Sequence, residues 1–256
     1  METGIQWGAY GNSKLSNEKQ VALIRKSSFT HTFFPSELED FDEAFSSAAK
    51  ENITVDFCHA PFDGINNMWL EGEEGDIMLR RLKDSVDINE KHSIPVLVSH
   101  LSSGDNAPRI TDRGYERFKE LIDYAGKRNV KIAFENQRKL ANIAFAMEVY
   151  PEAFFCWDTG HEKCFAAGRE YMPLFGSRLI ALHIHDNFLK KDGDEHMIPG
   201  DGGIDFDRVT SLLREFGFTG TVMLEASTRN AFYKNMPPEE FYERAARAAR
   251  NIARSI

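Results

Sequence analysis

Residues 130–158 read VKIAFENQRKLANIAFAMEVYPEAFFCWD and contain the unit that repeats along the whole chain. The runs VKIAFE and AFFCWD are short, apolar and typical of strands, and the segment KLANIAFAMEVY between them has the apolar spacing of a helix. A strand, a helix and a second strand in this order predict two parallel strands joined by a right-handed crossover. Glu135 and Asp158 end these strands, so we expect both carboxylates at the same edge of the sheet.

The same unit recurs from one end of the chain to the other. The other strand-like runs are GIQWGAY, FTHTFF, ITVDFCH, PVLVSH, LIALHIHD and TVMLEA, which brings the total to eight. Helical periodicity predicts helices over residues 17–28, 37–50, 75–92, 112–128, 139–150, 164–176, 206–217 and 237–256. Ser36, Asp112 and Asp205 are the N-cap candidates ahead of three of them. The pattern predicts an α/β protein in which residues 1–256 form a single (β/α)₈ TIM barrel, a fold of about 250 residues.

Alternation within the strands predicts which side chains point into the barrel. In VKIAFE, Ile132 and Phe134 are expected against the helices, while Ala133 and Glu135 face inward. The same rule sends His183 of ALHIHD and Glu225 of TVMLE to the interior. We therefore expect these strand ends to share one pocket at the mouth of the barrel, where such barrels carry their chemistry.

Side chains that can bind metals cluster at these strand ends. An oxygen-rich set suits one Mn²⁺, Mg²⁺ or Co²⁺ ion, and it consists of Glu135, Asp158, His183 and Glu225. A nitrogen-rich neighbourhood suits Zn²⁺ in a multinuclear site, and it adds His59, His100, His161, Asp194 and His196. The residue types alone leave both arrangements open.

Composition and net charge indicate which kinds of molecule the protein is expected to bind. The formal net charge of −9 argues against a large nucleic-acid surface, because phosphate binding relies on clustered Lys and Arg. The first residues, METGIQWGAYGNSK, lack the features of a leader, and no run approaches the roughly 18 apolar residues of a membrane span. Three cysteines without CxxC spacing fit a reducing compartment. We expect a cytoplasmic protein with a small-molecule partner and no membrane or nucleic-acid partner.

The segment HIHDNFLKKDGDEHMIPGDGGIDF (183–206) resembles the sugar isomerase/epimerase pattern of the xylose-isomerase-like TIM barrels. That superfamily includes sugar phosphate isomerases and epimerases and also endonuclease IV, a family 2 abasic-site endonuclease. The resemblance implies that Glu135, Asp158, His183 and Glu225 fall on the common metal tetrad. It also implies that His59, His100, His161, Asp194 and His196 fall on positions that complete a trinuclear zinc cluster in the endonuclease branch. The segment ENQRKLANI after the fifth strand departs from the Gly-rich ENTAG-like turn of that branch, which favours the sugar branch.

For an isomerase or epimerase, Glu135 and Glu225 are the predicted acid/base pair beside a metal-stabilised enediolate. Two glutamates on opposite faces of a sugar would invert a carbon, whereas one glutamate performing both steps would interconvert aldose and ketose. His161 and His185 are predicted to hold substrate oxygens. Trp69, in the long loop over residues 60–75, is predicted to form an apolar wall.

Three functions therefore follow in order of preference. The first is a divalent-metal-dependent sugar or sugar-phosphate isomerase/epimerase. The second is a zinc-dependent phosphodiesterase of the endonuclease IV type that acts on abasic DNA. The third is a non-catalytic barrel or a lyase-type relative. Related barrels often pair through their helical faces, so a homo-oligomer fits the resemblance.

Overall fold

The computed structural model describes residues 1–11 and 15–256, in which parallel strands alternate with helices. The strands are β1 Thr3–Gln6, β2 His31–Pro35, β3 Thr54–His59, β4 Val96–Ser99, β5 Lys131–Glu135, β6 Phe154–Asp158, β7 Leu179–His183 and β8 Val222–Leu224. The α-helices are α1 Asn17–Lys26, α2 Phe41–Lys50, α3 Glu73–Lys91, α4 Asp112–Gly126, α5 Leu140–Val149, α6 Thr159–Phe165, α7 Met172–Phe175, α8 Phe206–Glu215 and α9 Pro238–Ser255. Within the described ranges, none of the helices is both long enough and apolar enough to cross a membrane.

The strands form a ring. Neighbours pair in chain order from β1 to β7, and β8 pairs in parallel with β1. The ring closes between β7 and β8, where the Ile184 N–H donates to the Met223 carbonyl at 2.9 Å and the Glu225 N–H donates to the Ile184 carbonyl at 2.9 Å. The prediction of a single (β/α)₈ TIM barrel is confirmed.

Two apolar layers lie on either side of the ring and confirm the predicted alternation. The interior is filled by Phe33, Phe57, Val96, Val98, Ala133, Cys156, Ala181 and Met223. Ile132 and Phe134 belong instead to the larger cluster that packs between the strands and the helices. Because Ala133 faces inward, Glu135 two residues later also faces inward, at the C-terminal mouth.

The connection from β6 to β7 corrects the predicted helix over residues 164–176. Helix α6 begins five residues earlier, directly after β6, because the Asp158 carboxylate accepts the His161 N–H at 2.6 Å and caps the first turn. It ends before Ala167 and Gly168, whose φ angles of 51° and 83° are incompatible with a continuing helix. A second short helix, α7, then begins at Met172.

The predicted helix starts agree only in part. Asp205 caps α8 by accepting the N–H groups of the residues that follow it. The cap of α4 is Thr111 rather than Asp112, because the Thr111 hydroxyl accepts the Gly114 N–H. Ser36 caps no helix: α2 begins at Phe41, and the Ser36 hydroxyl contacts the Ser85 hydroxyl at 2.8 Å.

Candidate metal centre

Glu135, at the end of β5, lies at the centre of a buried cluster of carboxylates and imidazoles. Its side chain is only 1% exposed. Its Oε2 lies 3.1 Å from His59 Nε2 and 3.1 Å from His100 Nε2, and its Oε1 lies 2.8 Å from His161 Nδ1. The ends of β3, β4 and β5 and the first turn of α6 therefore meet at one carboxylate.

His183, at the end of β7, brings the four residues of the predicted tetrad together. Its Nδ1 lies 3.3 Å from Glu135 Oε2, 3.5 Å from Glu225 Oε2 and 3.9 Å from Asp158 Oδ2. His183 and Asp158 are completely buried, whereas the Glu225 side chain is 14% exposed. Glu135, Asp158 and His183 come from three successive strands, and Glu225 follows β8.

The loop after β7 adds two more predicted ligands. Asp194 Oδ2 lies 3.2 Å from His161 Nε2 and 3.4 Å from His196 Nε2. The His196 Nδ1 lies 2.9 Å from the Glu225 carbonyl oxygen, which directs Nε2 towards Asp194. This loop group therefore adjoins the tetrad at Glu225.

Asp186 holds that loop in place. Its buried carboxylate accepts the backbone N–H groups of Asn187, Gly200, Gly202 and Ile204, all at 2.8–2.9 Å. Its own backbone pairs with Met197 in both directions at 2.8 Å. The chain between residues 187 and 204 consequently folds back over the barrel mouth and carries Asp194 and His196 to the cluster.

Burial and neighbouring charges both shift the pKa values of side chains in the cluster. Burial lowers the pKa of His183, but the Glu225 and Glu135 carboxylates outweigh burial and raise that pKa to about 9. Burial raises the pKa of Glu135, but the neighbouring His100 and His183 charges hold it well below its usual range. Burial also lowers the pKa of His100, although the Glu135 carboxylate opposes this shift. The ionised form of Glu135 is therefore favoured, and the proton on the His183 imidazole supplies positive charge where a cation would lie.

The donor atoms fit a divalent cation. Both ring nitrogens of His183 and Oε2 of Glu225 are buried and have no hydrogen-bond partner among the described residues. Asp158, His183 and Glu225 each offer a ligand atom, and these atoms lie within 4.8 Å of one another. Buried polar atoms without a partner are costly, and a cation between them would satisfy them together. The His59 ring also points into the cluster. Its Nδ1 lies 2.7 Å from the Ala60 carbonyl oxygen, so its Nε2 faces Glu135.

Trp69 lies elsewhere than predicted. Its indole is 1% exposed, donates its N–H to the Leu101 carbonyl at 2.5 Å and packs against Phe118 with ring centroids 5.1 Å apart. The short 3-10 helix Ile65–Trp69 directs the ring towards α4 rather than over the mouth. His185, which was predicted to hold a substrate oxygen, is fully buried as well, and its Nε2 contacts Asp158 Oδ1 at 3.1 Å.

Two residues that the sequence reasoning missed reach the cluster. Phe62 is 50% exposed and stacks on His100 with ring centroids 4.8 Å apart. Gln137 places its amide nitrogen 2.9 Å from Glu135 Oε1. Phe62 lies three residues after His59, and Gln137 lies two residues after Glu135. These positions could have indicated that both reach the cluster, because residues just past a strand end line the barrel mouth.

Comparison with known families agrees with this architecture. Residues 19–252 match the family model described as Xylose isomerase-like TIM barrel. Because the match spans most of the chain, the chain belongs to that family.

Individual relatives are more distant. The uncharacterized protein y4fM of Sinorhizobium fredii is 30% identical over 149 residues, which are 52% of this chain and 47% of that protein. The match therefore spans about half the length of that relative. The D-psicose 3-epimerase of Clostridium cellulolyticum H10 superposes with a TM-score of 0.81 at 15% identity, covering 100% of this chain and 99% of that chain. The 3-keto-D-glucoside 4-epimerase of E. coli gives 0.78 at 16% identity, covering 98% and 99%. At such identities the likeness shows the shared fold.

Proposed function

We propose that the chain is a divalent-metal-dependent isomerase or epimerase that acts on a sugar or sugar phosphate. The observation that carries the proposal is the approach of Glu135 and Glu225 to the same buried nitrogen, His183 Nδ1, at 3.3 and 3.5 Å. Two carboxylates this close repel each other unless positive charge lies between them. The similarity to solved sugar epimerases supports this reaction class.

Glu135, Asp158, His183 and Glu225 would hold the cation, and their three carboxylates and one imidazole suit Mn²⁺, Mg²⁺ or Co²⁺. A bound divalent cation supplies polarisation of the substrate carbonyl, which makes the neighbouring C–H more acidic.

The two glutamates are the groups that we propose to move the proton. A carboxylate oxygen removes the proton from the carbon beside the carbonyl, and that C–H electron pair forms the enediolate double bond while the carbonyl oxygen gains the charge. Glu225 is suited to this step because its Oε2 has no hydrogen-bond partner in the described part of the chain and its side chain is 14% exposed. Delivery of a different proton by the protonated form of Glu135 from the other face inverts the carbon and leaves the abstracted proton on Glu225. Return of the abstracted proton by Glu225 to the adjacent carbon, with one hydroxyl proton passing between the two substrate oxygens, interconverts aldose and ketose instead.

Phe62 takes the role that the sequence suggested for Trp69. Its half-exposed ring stacks on His100, with an angle of 21° between the ring planes, and offers an apolar surface beside the cluster. A flat apolar surface next to charged groups suits the C–H face of a sugar whose oxygens turn to the polar side. His161, between Glu135 and Asp194, remains the proposed partner for a substrate oxygen.

Proton exchange tests the proposal. The Mn²⁺-loaded protein should exchange the hydrogen beside the carbonyl of at least one member of a ketose and ketose-phosphate panel in D₂O, as followed by NMR. Glu225→Gln and Glu135→Gln should each reduce the exchange at least about 100-fold, the usual contribution of a positioned acid or base. Asp105→Asn is the matched control, because Asp105 is 76% exposed and pairs with Arg138 rather than with the cluster. Lack of exchange across the panel, or exchange that survives both glutamine substitutions, would reject the proposal.

One observation favours a second candidate, a zinc-dependent phosphodiesterase acting on abasic DNA. His161, Asp194 and His196 add a nitrogen-rich group beside the tetrad, with Asp194 Oδ2 within 3.4 Å of both imidazoles. Imidazole-rich sites suit Zn²⁺, and several adjacent ions suit phosphate-ester hydrolysis. Cleavage of an abasic duplex by the zinc-loaded protein, together with no exchange on the sugar panel, would favour this function over the first.

A further inference from the structure

We propose that Gln6 is the residue that positions Glu225 at the mouth of the barrel. The Gln6 amide does so by holding the main chain that carries Glu225, so it is a positioning residue and not a catalytic one. The inference rests on the proposed function for the role of Glu225, but the contact itself can be tested without substrate.

Strand β1 differs from most other strands of the barrel at its C-terminal end. It ends in Gln6, whose amide carries no charge. Gly4 faces the barrel interior, because a Cβ there would lie 2.6 Å from the side chain of Met223, which belongs to the interior layer. Gln6, two residues later, therefore also points inward, at the mouth. Strands β3 to β8 instead end in, or are directly followed by, a predicted metal ligand: His59, His100, Glu135, Asp158, His183 and Glu225.

The Gln6 amide contacts the main chain at Glu225. Its Nε2 donates to the Glu225 carbonyl at 2.9 Å and to the Ala226 carbonyl at 2.9 Å. The orientation of the amide follows from these partners, because a main-chain carbonyl oxygen can only accept a hydrogen bond. The two hydrogens of the amide nitrogen are therefore matched by two acceptors.

Glu225 needs this support because it lies beyond the regular part of β8. That strand has three residues, Val222–Leu224, and its pairing with β1 ends at Ile5 and Leu224. The Gln6 amide extends the contact between β1 and β8 to the two residues that follow. On the β7 side, the Glu225 N–H donates to the Ile184 carbonyl at 2.9 Å. With its main chain held from both sides, Glu225 keeps its carboxylate 3.5 Å from His183 Nδ1.

Gln20 offers a matched control. It has the same side chain, and its amide also makes two hydrogen bonds near β1: Oε1 accepts the Gly8 N–H at 2.8 Å, and Nε2 donates to the Leu15 carbonyl at 3.4 Å. Neither partner belongs to the metal centre, and Gly8 is exposed to water. Methionine is unbranched and of similar length but has no donor, so Gln6→Met and Gln20→Met each remove the hydrogen bonds with little change in shape.

Mn²⁺ binding and unfolding, measured on the same proteins, separate positioning from a general effect on stability. The metal-free wild type and both variants would be titrated with Mn²⁺ by calorimetry and unfolded in urea. We expect Gln6→Met to weaken Mn²⁺ binding about 10–100-fold, the usual cost of removing a group that orients a metal ligand. Gln20→Met should bind Mn²⁺ as the wild type does, although the urea midpoint should fall in both variants. Crystals of metal-free Gln6→Met should show the Glu225 carboxylate displaced from His183, with Glu135 and Asp158 in place.

Unchanged Mn²⁺ affinity in folded Gln6→Met would overturn the inference. An equal loss of affinity in both variants would overturn it too, because the effect would then be general. If Gln6→Met fails to fold, the wild type alone gives the answer by NMR. Its Gln6 amide hydrogens should exchange with water more slowly than those of the exposed Asn251, and equal rates would mean that the amide makes no lasting contact.

Failure of the proposed function gives different results. A wild type that binds Mn²⁺ but exchanges no sugar hydrogen contradicts the proposed reaction and leaves the positioning of Glu225 standing. A wild type that binds no Mn²⁺ contradicts the metal centre. The metal-free crystals of Gln6→Met then decide the inference, and a Glu225 carboxylate that has not moved overturns it.

Discussion

Replacement of Gly160 by alanine should destabilise the protein by displacing His185, which contacts the predicted metal ligand Asp158. A Cβ at Gly160, in the first turn of α6, would lie 1.9 Å from His185 Cε1 and 2.4 Å from each ring nitrogen. Carbon atoms in contact are about 3.5–4.0 Å apart, so the imidazole must move by about 1.6–2.1 Å. His185 is fully buried and its Nε2 contacts Asp158 Oδ1 at 3.1 Å, so this movement breaks its contact with a predicted metal ligand.

The cost of Gly160→Ala has two parts. Overpacking a filled interior costs about 1–3 kcal/mol, and losing a buried hydrogen bond to a charged group costs about 1.5–3 kcal/mol. We therefore expect the free energy of unfolding to fall by about 2.5–6 kcal/mol. Binding of the cation should weaken too, because Asp158 loses the imidazole that orients it.

Urea unfolding followed by circular dichroism measures this change, and metal titration measures the weaker binding. The matched control is Gly126→Ala, at the last residue of α4, where an added Cβ meets no atom of the described residues within 4 Å. That substitution should leave stability unchanged or raise it by up to about 1 kcal/mol, as alanine does in a helix. A Gly160→Ala protein within about 0.5 kcal/mol of the wild type would refute the reasoning, because surface changes alone stay in that range.

Four further predictions follow from the centre and its surroundings. Mn²⁺ at 100 times its dissociation constant should stabilise the metal-free protein by about 2.7 kcal/mol, raising Tm by about 5–11 °C in calorimetry, and His183→Ala should abolish this gain. The pKa of His183 is about 9 in the metal-free fold, against an ordinary value of 6.5. The protonated imidazole therefore contributes its full stabilisation below the ordinary value, and this contribution is lost as the pH rises through about 9. Urea midpoints that stay level across this pH window would contradict the assignment. Asp186→Asn should lower the free energy of unfolding by about 2–6 kcal/mol, because an NH₂ group replaces one carboxylate oxygen and two of the four backbone N–H groups lose their acceptor. Limited proteolysis should then cut first between residues 187 and 204. Phe62→Ala should raise KM about 5–30-fold through the loss of about 1–2 kcal/mol of apolar contact, and a change confined to kcat would contradict its role as a substrate surface.

The ring of strands was predictable because a barrel imposes two simple patterns on the sequence. Alternation in VKIAFE separates Ala133 inside from Ile132 and Phe134 outside, and the structure has the same separation. Inward parity at a strand end also predicted that Glu135 would meet side chains from distant parts of the chain. These inferences needed only the period of the strand and the order of the elements.

Features that depend on tertiary contact were beyond the sequence. The helix predicted over residues 164–176 has an unbroken apolar spacing, but capping by Asp158 moves its start to Thr159 and the left-handed residues after it end it early. Trp69 was misplaced because loop residues carry no periodicity, so the direction of the indole is set by packing against Phe118. The amide of Gln137 likewise meets residues from two other strand connections, which no local pattern reveals.

The shared cation is tested most directly by an anomalous-difference map from crystals grown with Mn²⁺. We predict a peak about 2.0–2.6 Å from carboxylate oxygens of Glu135, Asp158 and Glu225 and from a ring nitrogen of His183. A map with no peak among these four side chains, in crystals where Mn²⁺ is in excess, would contradict the proposed metal centre and the reaction built on it.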